Sequence, residues 1–279
     1  MSWVQFHFKC RYFLQKTNEG LTLQQAKKSF EKSALDTLYS EKDLTGIQKE
    51  LFNKIFHLPN INDVKRALKI FSSINLAESL ASSKTYKSIT NKLSYLEVIT
   101  GVFITFITIY KLYVYPVFSE LIQQYPALGG DFFGLIPSMW LLGITVSVLT
   151  FMFTFSYRKY IKNIDSFVIN LPSKNLKFII PKNVLVEITK LNKIITMPLN
   201  KNGSRDSFYN KLDAINEMGL DESIELASLF KHQAEKLETI IWQHSKRTFG
   251  FMYSLVTLGI AFYIIQIYDP IFKIGVVLG

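Results

Sequence analysis

Two glutamates, Glu78 and Glu222, occupy the same place in a motif that the chain carries twice, and paired carboxylates are a common route to acid–base chemistry. The first copy runs Asn75-Leu76-Ala77-Glu78-Ser79-Leu80 and on through Tyr86-Lys87 to Lys92-Leu93. The second runs Gly219-Leu220-Asp221-Glu222-Ser223-Ile224 and on through Phe230-Lys231 to Lys236-Leu237. Each glutamate has lysine neighbours and no Ser or His arranged as a nucleophile and base, so the spacing favours ion pairing or helix capping over catalysis. A contact with a partner protein through Glu78, Lys87, Glu222 and Lys231 is the alternative. His7, His57, His232 and His244 are scattered, and none forms a two-histidine helical pair with an acidic third ligand. Cys10 is the only cysteine, which leaves no disulfide framework and no thiolate metal site. Asn202-Gly203-Ser204-Arg205 lacks the spacing and the lysine of a phosphate-cradling loop. The expectation is a non-enzyme with no catalytic residue, no cofactor and no metal.

The residues that would position this motif are set by apolar length. Hydrophobic residues make up 48% of the 279, charged ones 19%, and the mean hydropathy of +0.16 is high for a water-soluble domain. No charged side chain occurs from Phe132 to Tyr157, nor from Thr248 to Tyr268, and Val98 to Phe118 is interrupted only by Lys111. About 20 apolar residues in a helix cross the hydrocarbon core of a bilayer. Three transmembrane helices are therefore expected, near 96–116, 134–156 and 248–268. Lys111 is the one charge between Val98 and Phe118, and intramembrane charge is a functional suspect. Its place near the outer end, among Tyr110, Tyr113 and Tyr115, lets it snorkel to the interface; an ion pair with an acidic group on a partner is the other reading.

A net charge of +10 raises the question of nucleic acid, and the distribution answers it. Of the 32 Lys and Arg, 15 precede residue 95 and 15 lie between 157 and 248, while 119–134 has none. Positive charge collects on the side that is not translocated. The N-terminus and 157–247 are thus expected in the cytoplasm, and 118–133 and the tail 269–279 outside, with no nucleic-acid partner implied. The runs Arg158-Lys159-Tyr160-Ile161-Lys162 and Lys246-Arg247 serve this asymmetry and suit anionic lipid headgroups. Tyr157, Tyr160, Tyr253 and Tyr268 read as an interfacial belt. Met1 to Leu14 has Lys9 and Arg11 and no small-residue cleavage site, so insertion is expected to rely on the first internal span.

The soluble stretches read as helical bundles, 1–94 and 157–247. Val4 to Tyr12 alternates, which alone favours a strand, but no partner strand is evident and a helix is expected. Gly20 separates it from a helix over 21–38. Leu44, Ile47, Leu51 and Ile55 repeat at helical spacing behind Ser40 and Asp43, and after Pro59 the period continues in Val64, Leu68, Phe71 and Asn75 behind Asn62. Pro172, Pro181 and Pro198 cut the first half of the second stretch into short pieces, and Leu212, Ile215, Met218 and Leu220 restore a helical face before the motif. The spacing from motif to membrane differs: 23 positions separate Leu93 from Pro116, and 33 separate Leu237 from Pro270. A duplication of the whole unit needs an insertion of about ten residues, roughly one helical segment.

Three further pieces resemble the polytopic inner-membrane platform family of type II secretion systems and type IV pili. Gly20-Leu21-Thr22-Leu23-Gln24-Gln25-Ala26, after Phe13-Leu14, is similar to that family's helix-turn-helix opening. Val114-Tyr115-Pro116-Val117-Phe118-Ser119-Glu120-Leu121 resembles the exit of its first span, and Tyr268-Asp269-Pro270-Ile271-Phe272-Lys273-Ile274-Gly275 its C-terminal end. The family's Gly-Glu-x-Ser/Thr-Gly-x-Leu signature survives here only as Asn75-Leu76 and Gly219-Leu220. The resemblance implies an all-α polytopic protein with three spans and two homologous cytoplasmic bundles in a bacterial inner membrane. It implies a homo-oligomer that couples a cytoplasmic assembly ATPase to extraction of pilin or pseudopilin, alongside other inner-membrane assembly proteins. Lys111 would then face an acidic side chain on a translocating pilin. An oligomeric transporter or channel subunit is the alternative, against which stand two spans with no charged residue.

Overall fold

Helix capping and apolar spacing decide the local structure throughout. The computed structural model describes residues 2–33, 46–76, 84–126, 136–170, 180–199 and 217–278, with the single positions 35, 38, 79 and 214. Among the described residues every regular element is helical: α1 (Ser2–Asn18), α2 (Leu23–Lys32), α3 (Gly46–Phe56), α4 (Ile61–Ser73), α5 (Lys84–Ile109), a π-helical turn (Tyr110–Val114), α6 (Tyr115–Gln124), α7 (Ile136–Lys162), α8 (Ile164–Ile169), α9 (Lys182–Thr196), a 3-10 turn (Met197–Leu199) and α10 (Glu222–Leu278). The chain divides into two compact units, one of residues 1–86 with 162–241, the other of 87–161 with 242–279. The two soluble stretches thus share the first unit.

In the first unit, Trp3, Phe6, Cys10 and Phe13 recur at helical spacing on α1 and are all buried, which is why the alternating segment is helix and not strand. Their side chains meet the apolar faces of α3 and α4: the Phe6 ring stands edge-on to Phe71 at 5.8 Å and Phe13 edge-on to Phe56 at 5.0 Å. Burial of each such side chain contributes about 1.5–3 kcal/mol. Gly20, at φ 90°, turns the chain out of α1 in a conformation that costs glycine little. Thr22 then opens α2 with a reciprocal capping box to Gln25, starting the helix two residues later than expected. The cap of α4 is Asn60, not Asn62: its extended backbone lets Oδ1 accept from the Asn62 N–H at 3.0 Å. Leu44, Ser40 and Asp43 lie outside the described residues. Pro181 stands at the N-cap of a regular 15-residue helix, α9, where a missing N–H costs nothing, and Pro198 follows the end of that helix, which it cannot continue.

Among the described residues three helices are long and apolar enough to cross a membrane, within Lys84–Gln124, Trp140–Lys162 and Glu222–Ile265, with mean hydropathies of 1.7, 1.6 and 1.8. Large apolar side chains such as Val102, Met152 and Leu258 stay exposed on them, a surface that suits lipid tails better than water. The helices exceed the expected spans. The first does not end at Pro116: Pro116 has no N–H to give the carbonyl four residues back, and the turn before it is π-helical, with the Tyr115 N–H donating to the Tyr110 carbonyl five residues back. The helix then continues to Gln124, into the expected outer loop. Likewise α10 runs unbroken for 57 residues into the expected tail. Inside the second unit, Phe103 of α5 packs edge-on to Tyr263 of α10 at 5.7 Å. Gly143 of α7 allows this, because a Cβ there would come within 3.0 Å of the Tyr263 hydroxyl.

One polar group inside the first unit sets a pH limit. His7 is buried, with Nδ1 2.8 Å from the Phe71 carbonyl and the Leu76 N–H donating to Nε2 at 3.1 Å. A carbonyl only accepts and an amide only donates, so the ring is neutral with its proton on Nδ1. Burial lowers its pKa below the ordinary 6.5, against a raising effect of the Phe71 bond. Since the unfolded chain binds the proton more readily, stability holds above pH 6.5 and falls as pH drops from there toward the lowered value. Urea melts of the detergent-solubilised protein should show this slope. His7→Leu should remove the slope and cost about 2–4 kcal/mol at neutral pH, by leaving the Phe71 carbonyl and Leu76 amide unpaired.

Candidate functional site

The second motif copy is built as a latch. Gly219, at φ 78°, turns the chain, and Asp221 caps the start of α10: its Oδ1 accepts from the Ser223 N–H at 2.9 Å and from the Ser223 hydroxyl at 2.7 Å. Glu222 at the first position of α10 is buried and takes a two-pronged bond from Arg66 of α4, Nε to Oε2 at 2.8 Å and Nη2 to Oε1 at 2.5 Å. Lys69, one turn along α4 from Arg66, reaches Asp221 at 2.7 Å. Hydrogen bonds from Lys69 and Ser223 hold the Asp221 carboxyl down at about 2. A planar guanidinium matches a carboxylate in both position and direction, so this pair fixes register as well as proximity.

Further along α10, Gln233 and Lys236 both reach Glu187 of α9, which is buried and also bonded by Lys190 at 3.0 Å. Burial pushes the Glu187 pKa up, but Lys190 and Lys236 outweigh it and leave it below the ordinary value. At the basic end of the apolar helices, Arg158 of α7 pairs with Glu97 of α5 at 2.8 Å and donates to Ser94 at 3.1 Å, and the Tyr157 hydroxyl meets the Ser245 hydroxyl of α10 at 2.9 Å. Lys92 lies 4.7 Å from the Trp242 ring centroid, so α5 and α10 are joined there by a cation–π contact.

Of the residues singled out by the repeat, Glu222 serves as the ion-paired end of a helix. Lys87 on α5 and Lys231 on α10 are exposed at equivalent motif positions, and Glu78 lies outside the described residues. Lys111 sits in the π-helical turn, half-buried, with its ammonium 3.9 Å from the Tyr115 ring centroid. Sequence reasoning missed Arg66, Lys69, Glu187 and Glu97. Arg158 was read as a topology charge and a lipid-headgroup contact, although a lone acid, Glu97, at the border of an apolar segment was the signal of its ion pair. Among the described residues no three His, Cys, Asp or Glu gather to hold a metal ion, and Cys10 is buried, which raises its thiol pKa and keeps it unreactive. What the clusters can do is hold helix ends in register.

Arg66→Met should destabilise the protein by about 1–3 kcal/mol, below the full cost of stranding a buried carboxylate because Arg66 is itself partly exposed. Glu222→Gln should cost less, and the double variant should show clear coupling in a thermodynamic cycle; additive effects would mean the pair is idle. Glu97→Gln and Arg158→Gln should each loosen α5 and α7 where these two residues meet, with the exchange Glu97→Arg with Arg158→Glu recovering part of the loss, read as the rate of disulfide formation between cysteines placed on the two helices. No family model, no curated protein and no solved structure matches this chain, so what it does has to be argued from its own residues.

Proposed function

We propose that this chain is a non-enzymatic platform of a bacterial inner membrane, of the type II secretion and type IV pilus kind. In this reading it couples a cytoplasmic assembly ATPase to the extraction and assembly of pilin or pseudopilin, working as a homo-oligomer among other assembly proteins. The observation that carries the reading is α10. Its 57 residues are more than twice the roughly 20 that a bilayer needs, and they run without a break from the Arg66–Glu222 latch into the apolar segment. A displacement at one end of a continuous helix reaches the other without being lost in a loop. The charge distribution supports an N-terminus in the cytoplasm and a C-terminus outside. A duplicated bundle-plus-span origin is supported by equivalent motif positions with the same environment: Tyr86 and Phe230 are buried, as are Leu93 and Leu237, while Lys87 and Lys231 are exposed. Lys87 and Lys231 are the exposed cations we assign to the ATPase, and Lys111 the one we assign to an acidic pilin side chain.

Deleting the gene should abolish filament assembly or secretion while pilin is still made and inserted; normal filaments in the deletion strain would sink this reading. Lys87→Glu with Lys231→Glu should weaken co-purification of the ATPase without changing helix content. Gln243→Pro tests the mechanical step, since proline inside a helix costs about 3 kcal/mol and interrupts α10 at an exposed position between latch and apolar segment. It should abolish assembly but leave ATPase binding intact; assembly that survives would remove α10 as the transmitting element.

A further inference from the structure

One face of α10 changes character along its length. Trp242, Lys246, Gly250, Ser254, Thr257 and Ala261 follow one another at spacings of three or four, so they form a single strip that drifts slowly around the helix. From Lys246 onward all of them are exposed. The small residues make the strip a furrow: the exposed Phe251 and Leu258 stand on one side, and on the other is Tyr253, whose ring lies 6.5 Å from that of Tyr95 on α5. A Cβ at Gly250 would meet no neighbouring atom, so packing within the chain does not ask for glycine there. From Gly250 to Ala261 the helix rises about 16 Å, close to half of a hydrocarbon core of roughly 30 Å. At Leu258 and Ala261 the furrow meets a cavity of about 650 Å³ between α7 and α10, within the range of ligand sites. Its lining is apolar but for the hydroxyls of Ser147, Thr150 and Tyr263, with no charged side chain among the described residues, so it suits hydrocarbon.

The other end of the furrow is cationic. The Lys92 ammonium of α5 lies 4.7 Å from the Trp242 ring centroid, and Lys246 stands one turn along α10 from that ring. Both lysines are exposed. The ring is neutral, so this contact orients the Lys92 ammonium without cancelling its charge. Glu97 on α5 is paired with Arg158 of α7, and Glu235 and Glu238 on α10 lie beyond Trp242, away from the furrow. We propose that this face binds an acidic phospholipid, with its phosphate between Lys92 and Lys246, the Trp242 indole N–H donating to a headgroup oxygen, and an acyl chain laid over Gly250, Ser254 and Thr257 into the cavity. Phosphatidylglycerol is preferred to phosphatidylethanolamine, whose own ammonium would face the two lysines. A second copy of the chain is the poorer occupant. At the same depth it would bring Lys92, Arg158, Lys246 and Arg247 again, cation against cation. The assignment rests on the apolar helices being membrane spans and not on the platform reading above.

Native mass spectrometry of the full-length protein in detergent, titrated with phosphatidylglycerol or phosphatidylethanolamine of identical acyl chains, tests this. One phosphatidylglycerol per chain should be retained, with phosphatidylethanolamine held at least about tenfold more weakly. Lys92→Gln with Lys246→Gln should erase that preference, whereas Lys87→Gln with Lys231→Gln, an equal loss of charge at exposed positions outside the furrow, should keep it. Gly250→Leu fills the furrow and should weaken both lipids by about tenfold or more without lowering the thermal melt, since leucine is the better helix former. Equal retention of the two lipids, a preference that survives the Lys92 and Lys246 changes or is lost equally with those at Lys87 and Lys231, and binding unchanged by Gly250→Leu would each overturn the proposal. So would displacement of the lipid by soluble glycerol phosphate, or a ready disulfide between copies of the Gly250→Cys protein, which would give the furrow to a second copy. Release of the protein from native membranes by alkaline carbonate without detergent would instead overturn the spans on which the assignment rests.

Discussion

Inside an apolar segment the backbone has no water to bond, so each N–H and C=O must find its partner in its own helix. Most of this architecture follows from that constraint. It explains why α5 answers Pro116 with a π-helical turn instead of breaking: a loop within an apolar segment would strand several polar groups, whereas one widened turn relieves the clash between the proline ring and the preceding carbonyl. The same constraint favours α10 as one uninterrupted element. Helices that cannot end within the apolar region end outside it, and their ends are where the polar side chains do their positioning.

Those ends show a common economy of groups. Glu222, Glu187 and Glu97 are each largely withdrawn from water, and each is met by a cation from another helix: Arg66, Lys236 and Arg158. A buried carboxylate is costly when alone and directional when paired, so such a residue penalises any slip of one helix against its neighbour more than an apolar contact would. His7 does the same in neutral form, its two ring nitrogens satisfied only when the end of α4 and the start of the first motif copy are both in place. Apolar packing supplies most of the stabilisation, and these few bonds select the register.

Where a feature depends on periodicity or length, the sequence announced it. The buried face of α4, the turn at Gly20 and three long apolar helices were legible, because the spacing of Val64, Leu68 and Phe71 is itself the cause of burial; the face of α1 was hidden behind the alternation of Val4 to Tyr12. The helix ends were less legible. Asn60 caps α4 because of its backbone conformation, which composition does not reveal, and the π-helical turn depends on what happens to a carbonyl when the proline after it has no N–H. The latch was half legible: Glu222 was marked by the repeat and an ion pair was expected of it, but Arg66 is 156 positions away. Nothing in one sequence distinguishes it from the many other exposed basic residues. Lys87 and Lys231 remain surface cations, and Glu78 lies outside the described residues.

The two motif copies share their environment from Tyr86 and Phe230 onward but differ at their first leucine. Leu76 is fully buried and its amide is held by His7, whereas Leu220, the residue at the equivalent position, is half exposed beside a glycine turn. At Leu76 the first copy is therefore fastened from inside the aromatic core by a neutral hydrogen bond. The second is fastened near the surface by charges, Lys69 on Asp221 and Arg66 on Glu222. Salt screens exposed charges and leaves buried neutral bonds largely untouched. The partly exposed Lys69 and Arg66 contacts of the second copy can thus be weakened by an approaching charged surface, and that copy begins the longest helix among the described residues.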